Sequence, residues 1–280
     1  MKLKGIVGAT IALALSIVLV ACGKASTSKD TNSDQWQTYE SSKKITIGFD
    51  NTFVPMGFQD KSGKDVGFDI DLATAVFKKY GIEVNWQPIN WDLKETELKN
   101  GTIDLIWNGY SKTKEREESV LFTLPYMENE QVLVTKKSSN IASSADMKGK
   151  ILGAQAGSSG YQVFEEKPAV LKDLVKDQTA TQYESFNEAL IDLQNSRIDG
   201  LLIDRVYANY YLQDQGILGD YNVIPVDYQG ENFAVGARKS DKTLVENINK
   251  AFKELYKDGT FQEISKKWFG DDVATDDVKQ

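Results

Sequence analysis

The sequence predicts an α/β protein made of two similar lobes, each built on a mainly parallel sheet. Three observations carry this. From residue 45 onward, strand-like and helix-like segments alternate. Ile103 to Trp107 is apolar at nearly every position, as a strand covered on both faces requires. After a polar stretch, Lys136 to Ala145, the alternation starts again at Ile151.

Lys44-Ile45-Thr46-Ile47-Gly48-Phe49 alternates and is rich in β-branched residues, which predicts a strand. Asp50 to Pro55 breaks it into a loop, and Gly57 to Gly67 predicts a hairpin turning near Lys61-Ser62-Gly63. Leu72, Ala73, Val76, Phe77 and Tyr80 fall on one stripe of a helix from Asp69 that Gly81 stops. Val84 to Pro88 is a second strand, Trp91 to Lys99 a helix closed by Asn100-Gly101, and Ile103 to Trp107 a third strand. Thr113 is placed to cap a short helix, and Gln131 to Thr135 is a further strand.

In the second half, Ile151 to Ala154 predicts a strand, followed by the loop Gly157-Ser158-Ser159-Gly160 and a helix from Tyr161. Ser185 and Glu188 have capping-box spacing ahead of Phe186, Ala189, Leu190 and Leu193 on one helical face. Ile198 to Ile203 is a buried strand and Phe233 to Ala237 a late one. Leu244 to Tyr256 and Phe261 to Phe269 are amphipathic helices separated by Gly259. Leu98-Lys99-Asn100-Gly101-Thr102-Ile103-Asp104 echoes Leu193-Gln194-Asn195-Ser196-Arg197-Ile198-Asp199, which supports two lobes of one plan.

At the start of the chain, Lys2 and Lys4 precede an apolar run, Gly5 to Ala21, of 17 residues. That is short for a membrane span and typical of a secretory signal. Residues Gly23 to Lys44 are polar and have little to bury, which predicts a flexible tether. The chain carries 33 basic and 41 acidic residues, net −8, so nucleic acid is not an expected partner. One cysteine and no histidine exclude disulfides within the chain, serine–histidine triads and ordinary zinc sites. Neither a metal nor a cofactor is expected.

Leu19-Val20-Ala21-Cys22 resembles the lipobox of bacterial lipoproteins. The resemblance implies a signal peptide over residues 1–21, diacylglycerol on Cys22 and a lipidated tether over 22–43, holding the protein on the outer face of the cytoplasmic membrane. The competing reading is an uncleaved anchor with an incidental cysteine. Val66-Gly67-Phe68-Asp69-Ile70-Asp71-Leu72-Ala73 resembles one signature of a known family, and Asn100-Gly101 through Asp104, Ser111, Thr113, Arg116, Phe122 and Pro125-Tyr126 a second. Gly149-Lys150 with Gly157-Ser158-Ser159-Gly160 is similar to a third, and Lys266-Lys267-Trp268-Phe269-Gly270 to its usual ending. In this order, the four match the polar-amino-acid-binding proteins of ABC importers, of the type II periplasmic-binding fold. The resemblance implies two Rossmann-like lobes joined by two crossing strands, Gln131 to Thr135 and Phe233 to Ala237. Lobe 1 would hold 44–132 and 233–280, and lobe 2 would hold 133–232. The expected partners are a free amino acid, the importer permease and the membrane, with the protein itself a monomer.

Each candidate site residue has an ordinary alternative. Arg116 would bind the ligand carboxylate through its planar fork, or be a surface arginine among Lys114, Glu115, Glu117 and Glu118. Ser158 and Ser159, at a helix N-terminus, would bind the same carboxylate or simply form a capped turn. Asp204, ending a buried strand, would accept from the ligand ammonium or cap the next helix. By the family pattern, Ser111 and the backbone at Asn108 and Gly109 add acceptors, although a family serine often stands where Gly109 does. Phe53 and Trp91 match an aromatic pair over the ligand side chain, worth about 0.5–2 kcal/mol for a cation, or are core. Asp50 would meet the distal end of a basic or amide side chain with help from Gln155, or cap its own loop. Arginine, lysine, histidine and glutamine are the expected ligands. An enzyme of the same fold, with Glu130 or Asp50 as its acid, and a sensor or surface interaction protein with a vestigial cleft are the competing functions.

Overall fold

The computed structural model describes residues 31–280. The expected signal peptide, Cys22 and the first part of the tether lie outside the described residues. Among the described residues, no helix is long and apolar enough to cross a membrane.

Lys44–Phe49 lies inside the first sheet, with Ile45, Ile47 and Phe49 buried. It pairs in parallel with Glu83–Pro88 on one side and Leu105–Ile106 on the other. Beyond Leu105–Ile106 come Gly236–Arg238, antiparallel, and then Val120–Phe122. In the second sheet, Leu152–Gln155 pairs in parallel with Ala180–Tyr183 and Gly200–Asp204. Gln131–Lys136 follows, antiparallel, and then Tyr221–Pro225. Both sheets therefore run second strand, first strand, third strand, a strand entering from the crossing, and an edge strand. This is the α/β architecture of two Rossmann-like lobes that the sequence predicts.

The crossing itself differs from the expectation. Gln131–Lys136 belongs wholly to the second sheet, and Gly236–Arg238 to the first. Between the sheets runs a short antiparallel ribbon, Met127–Asn129 paired with Glu231–Phe233. Its strands are three residues long and mostly polar, so they carry no periodic signal. The adjoining apolar strand, 131–135, drew the assignment instead.

The tether also requires correction. Trp36–Ser42 is a helix, and Trp36 and Tyr39 are buried in the core of the first lobe. Tyr39 Oη donates to Asp104 Oδ1 at 3.0 Å, and Gln35 N donates to Asp241 Oδ1 at 2.9 Å. Two aromatics spaced i, i+3 supply one apolar helix face that the polar average of the segment conceals.

Other local expectations hold. Thr113 accepts from Arg116 N and caps Lys114–Ser119. Ser185 accepts from Glu188 N at the start of Phe186–Gln194. Lys242–Lys257 and Thr260–Phe269 are helical, and Phe261 and Phe269 lie edge-on to Phe68 of the helix Phe68–Lys78.

Candidate functional site between the lobes

In each sheet the chain order reverses about the first strand, so the first and third strands end beside the crevice where α/β folds bind ligands. Asp50 follows the first strand of lobe 1, and Gln155 ends the first strand of lobe 2. Asn108 and Gly109 follow the third strand of lobe 1, and Asp204 ends that of lobe 2. All of these residues are buried, as are Ser111, Arg116, Ser158, Ser159, Phe53 and Trp91.

The two lobes touch through these side chains. Gln155 Nε2 donates to Asp50 Oδ2 at 2.8 Å. Ser111 Oγ and Ser159 Oγ are 3.1 Å apart. Arg116 Nη1 donates to the Ser111 carbonyl at 2.8 Å, and its Nη2 to the Gly157 carbonyl of lobe 2 at 3.0 Å. Its guanidinium lies 4.6 Å from the centre of the Tyr110 ring, whose hydroxyl donates to Glu95 at 2.8 Å. Arg116 is thus a buried bridge between lobes, not a surface arginine.

Asp50 caps its own loop and also reaches across to lobe 2. Its Oδ1 accepts from Thr52 N and Oγ1 at 2.9 and 2.7 Å, capping its own loop, while Oδ2 faces lobe 2. Burial pushes its carboxyl above the ordinary value, against the pull of the Thr52 and Gln155 hydrogen bonds. Ser158 is locally satisfied: it caps the helix Ser159–Glu166 by accepting from Tyr161 N and donates to the Gln155 carbonyl. Asn108 positions neighbours, its Oδ1 accepting from Asp50 N and its Nδ2 donating to the Gly57 carbonyl. Gly109 N donates to Asp69 Oδ2 at 2.7 Å, a carboxyl that burial pushes up to about 7. A side chain at Gly109 would start 2.8 Å from Phe53 Cε1 at a φ of +56°, so the departure from serine makes room for Phe53. Phe53 packs on Tyr207 and Phe186 of lobe 2, and Trp91 lies edge-on to Tyr110. Trp107 is wholly buried against Tyr126 and Phe252, and Glu130 pairs with Arg205.

Asp204 makes no side-chain cap to its helix. Its Oδ1 instead accepts from Asn129 Nδ2 at 2.6 Å and Gln131 Nε2 at 2.9 Å. Burial, and next the negative charge of Glu231, push its carboxyl up to about 8. Glu231 Oε2 accepts from Ser111 Oγ at 2.8 Å and Ser159 Oγ at 3.1 Å, one hydroxyl from each lobe. Lys94 is buried, bonded through Nζ to the carbonyls of Trp91 and Gly157, and lowered to about 8 by burial and then by Arg116. Sequence reasoning missed Lys94, Glu95, Asn129, Gln131 and Glu231. The amides had one usable signal: two positions apart, they point to one face of an extended chain beside the crossing. Among the described residues, no group of three or more histidine, cysteine or acidic side chains could hold a metal ion.

Residues 45–271 match the model of the bacterial extracellular solute-binding proteins, family 3. The chain belongs to that family. The ABC transporter arginine-binding protein 1 of Escherichia coli is 33% identical over 229 residues, 81% of this chain and 91% of that protein. The L-cystine-binding protein TcyA of Bacillus subtilis is 33% identical over 264 residues, 91% and 94% of the two chains. The crystal structure of a Streptococcus pneumoniae ABC uptake transporter substrate-binding protein with bound histidine is 69% identical. It covers 86% of this chain and 98% of its own, with a TM-score of 0.86. A polar amino acid ABC uptake transporter substrate-binding protein from Streptococcus thermophilus is 68% identical, covers 89% and 95%, and has a TM-score of 0.58. These relatives are solute-binding proteins rather than enzymes, and the extracytoplasmic, substrate-binding role foreseen from the sequence is that of the family.

Proposed function

We propose that this chain captures a basic or amide-bearing amino acid between its lobes and hands it to an ABC importer, held at the membrane by lipid on Cys22. The observation that carries the reading is the convergence of Arg116, Ser111, Ser159, Asp204 and Asp50 from both lobes on one buried seam. Arg116 and the N-terminus of Ser159–Glu166 would hold the ligand carboxylate, and Asp204 with Ser111 the ammonium. Asp50 and Gln155 would meet the far end of the side chain, between Phe53 and Trp91. A buried carboxylate there favours a ligand that brings donors.

The names of the relatives support the class: histidine, arginine and cystine are bound by the proteins described above. The two streptococcal structures support hinge closure. Their identities differ by one percentage point while their TM-scores are 0.86 and 0.58. A rigid rotation between lobes would lower one score in this way, because one lobe then superimposes at the expense of the other. The seam contacts match a closed state.

A thermal-shift screen against the standard amino acids tests the reading. Arginine, lysine, histidine or glutamine should raise the melting temperature. Arg116→Ala should weaken binding of that ligand by roughly tenfold or more. An unchanged dissociation constant in the variant would remove Arg116 from the site. Quantitative recovery of unaltered ligand would separate binding from turnover. Labelled fatty acid should be incorporated into the wild-type protein and not into Cys22→Ser, and equal incorporation into both would refute lipidation at Cys22.

A further inference from the structure

Resting on the reading above, we infer that Glu231, on the returning crossing strand, binds the ligand directly: its carboxylate and that of Asp204 form one two-acid seat for the amino acid's ammonium group.

The backbone builds this seat from two ladders. In the crossing ribbon Glu231 lies directly opposite Asn129, and in the second sheet Asp204 lies directly opposite Gln131. Residues 129 and 131 are two apart on one extended run, so their side chains share a face. The result is two carboxylates held by two amides. Asn129 Nδ2 reaches Asp204 at 2.6 Å and Glu231 at 3.3 Å, and Gln131 Nε2 reaches them at 2.9 and 3.2 Å. The remaining donors to Glu231 are the hydroxyls of Ser111 and Ser159. Ser111 is brought there because residue 111 bridges to Phe233, with Lys112 N bonded to the Asn232 carbonyl.

All of these donors are neutral, yet the two acids are close enough to repel. Two neighbouring carboxylates in a buried site hold one proton between them unless a cation replaces it. The Asp204 carboxyl, pushed up to about 8, is consistent with that state. Arg116 donates to the Ser111 carbonyl instead, and Arg205 pairs with Glu130. Neither bonds to the two carboxylates. Asn129 Oδ1 and Gln131 Oε1 are buried acceptors without a hydrogen-bond partner, so the neighbourhood has spare acceptors. An ammonium group brings only donors and one positive charge, and supplies both deficits. On its arrival the proton held by the Asp204 carboxyl leaves to solvent, and the serine hydroxyls can turn to accept.

Calorimetric titration of the wild-type protein near pH 7, in buffers of different ionisation enthalpy, counts the protons released on binding. Release should approach about one per ligand. Glu231→Gln removes the second charge without changing shape. It should weaken binding by roughly tenfold and cut the release, because Asp204 is then already ionised more often. Comparing wild type with variant cancels any proton taken up by the ligand's own side chain. Glu231→Asp should restore part of both effects. The desamino analogue of the ligand separates a seat from a mere hinge brace: the variant should narrow the gap in affinity between amino acid and analogue. Equal weakening of both, tighter binding of both, or an unchanged dissociation constant would overturn the assignment of Glu231. If the wild-type protein binds no amino acid, the function itself fails. If it binds and Glu231→Gln changes nothing, only this seat fails.

Discussion

The two lobes share a frame and differ in what they hang on it. In lobe 1, Asp104 Oδ2 accepts from Thr46 N at 3.0 Å, tying the third strand to the first. In lobe 2, Asp199 Oδ2 accepts from Ile151 N at 2.8 Å and does the same. The isoleucine before each aspartate fills the space a glycine leaves on the first strand: a Cβ at Gly48 would stand 2.5 Å from Ile103 Cδ1, and one at Gly153 2.6 Å from Ile198 Cδ1. These are the residues of the short sequence echo, and they set the backbone. The proposed binding positions have diverged. Asp50 in lobe 1 answers to Gln155 in lobe 2, and the two meet at 2.8 Å. By strand register, Gly109 answers to Asp204. The difference teaches that a repeated frame can present a carboxylate from one side and bare backbone from the other, which suits a ligand with unlike ends.

The lobes also differ around the shared aspartate. Asp104 is buried with Arg238, whose Nη2 lies 3.1 Å away. Arg238 Nε is 2.9 Å from Asp241 Oδ2, an ion pair without hydrogen-bond alignment. Asp199 is only half-buried. Asp104→Asn should therefore cost about 3 kcal/mol, because it weakens the pairing of a buried guanidinium. Asp199→Asn should cost only about 1 kcal/mol, the scale of one hydrogen bond. Denaturant unfolding of both variants checks the contrast, and equal losses would mean the buried cluster adds nothing. The smaller effect is the one the lobes share. Gly48→Ala and Gly153→Ala should each destabilise by about 1 kcal/mol, relieved by Ile103→Val and Ile198→Val, which delete the opposing Cδ1 atoms. Coupling in one cycle but not the other would break the equivalence of the lobes.

Much of the fold was legible because the buried strands and amphipathic helices are long enough to show their periods. The helix 36–42 was missed because two aromatics among polar neighbours do not shift a composition average. The crossing ribbon was missed because three-residue polar strands show no period at all. Within the candidate site, Arg116 and Ser111 stand in a motif, and Asp204 ends a buried strand. Asn129, Gln131 and Glu231 are polar residues at the ends of strands, and their meaning comes only from what lies across the ladder.

By itself, the amino-acid order determined two α/β lobes and the caps at Thr113 and Ser185. Local periodicity and short-range hydrogen bonding suffice for these. Only the tertiary structure decided which polar groups face one another: Asp50 with Gln155, Arg116 with Gly157, and Glu231 with Asp204 between two amides. Those pairings join residues far apart in the chain, and long-range contacts depend on sheet register and lobe approach, which no local pattern encodes.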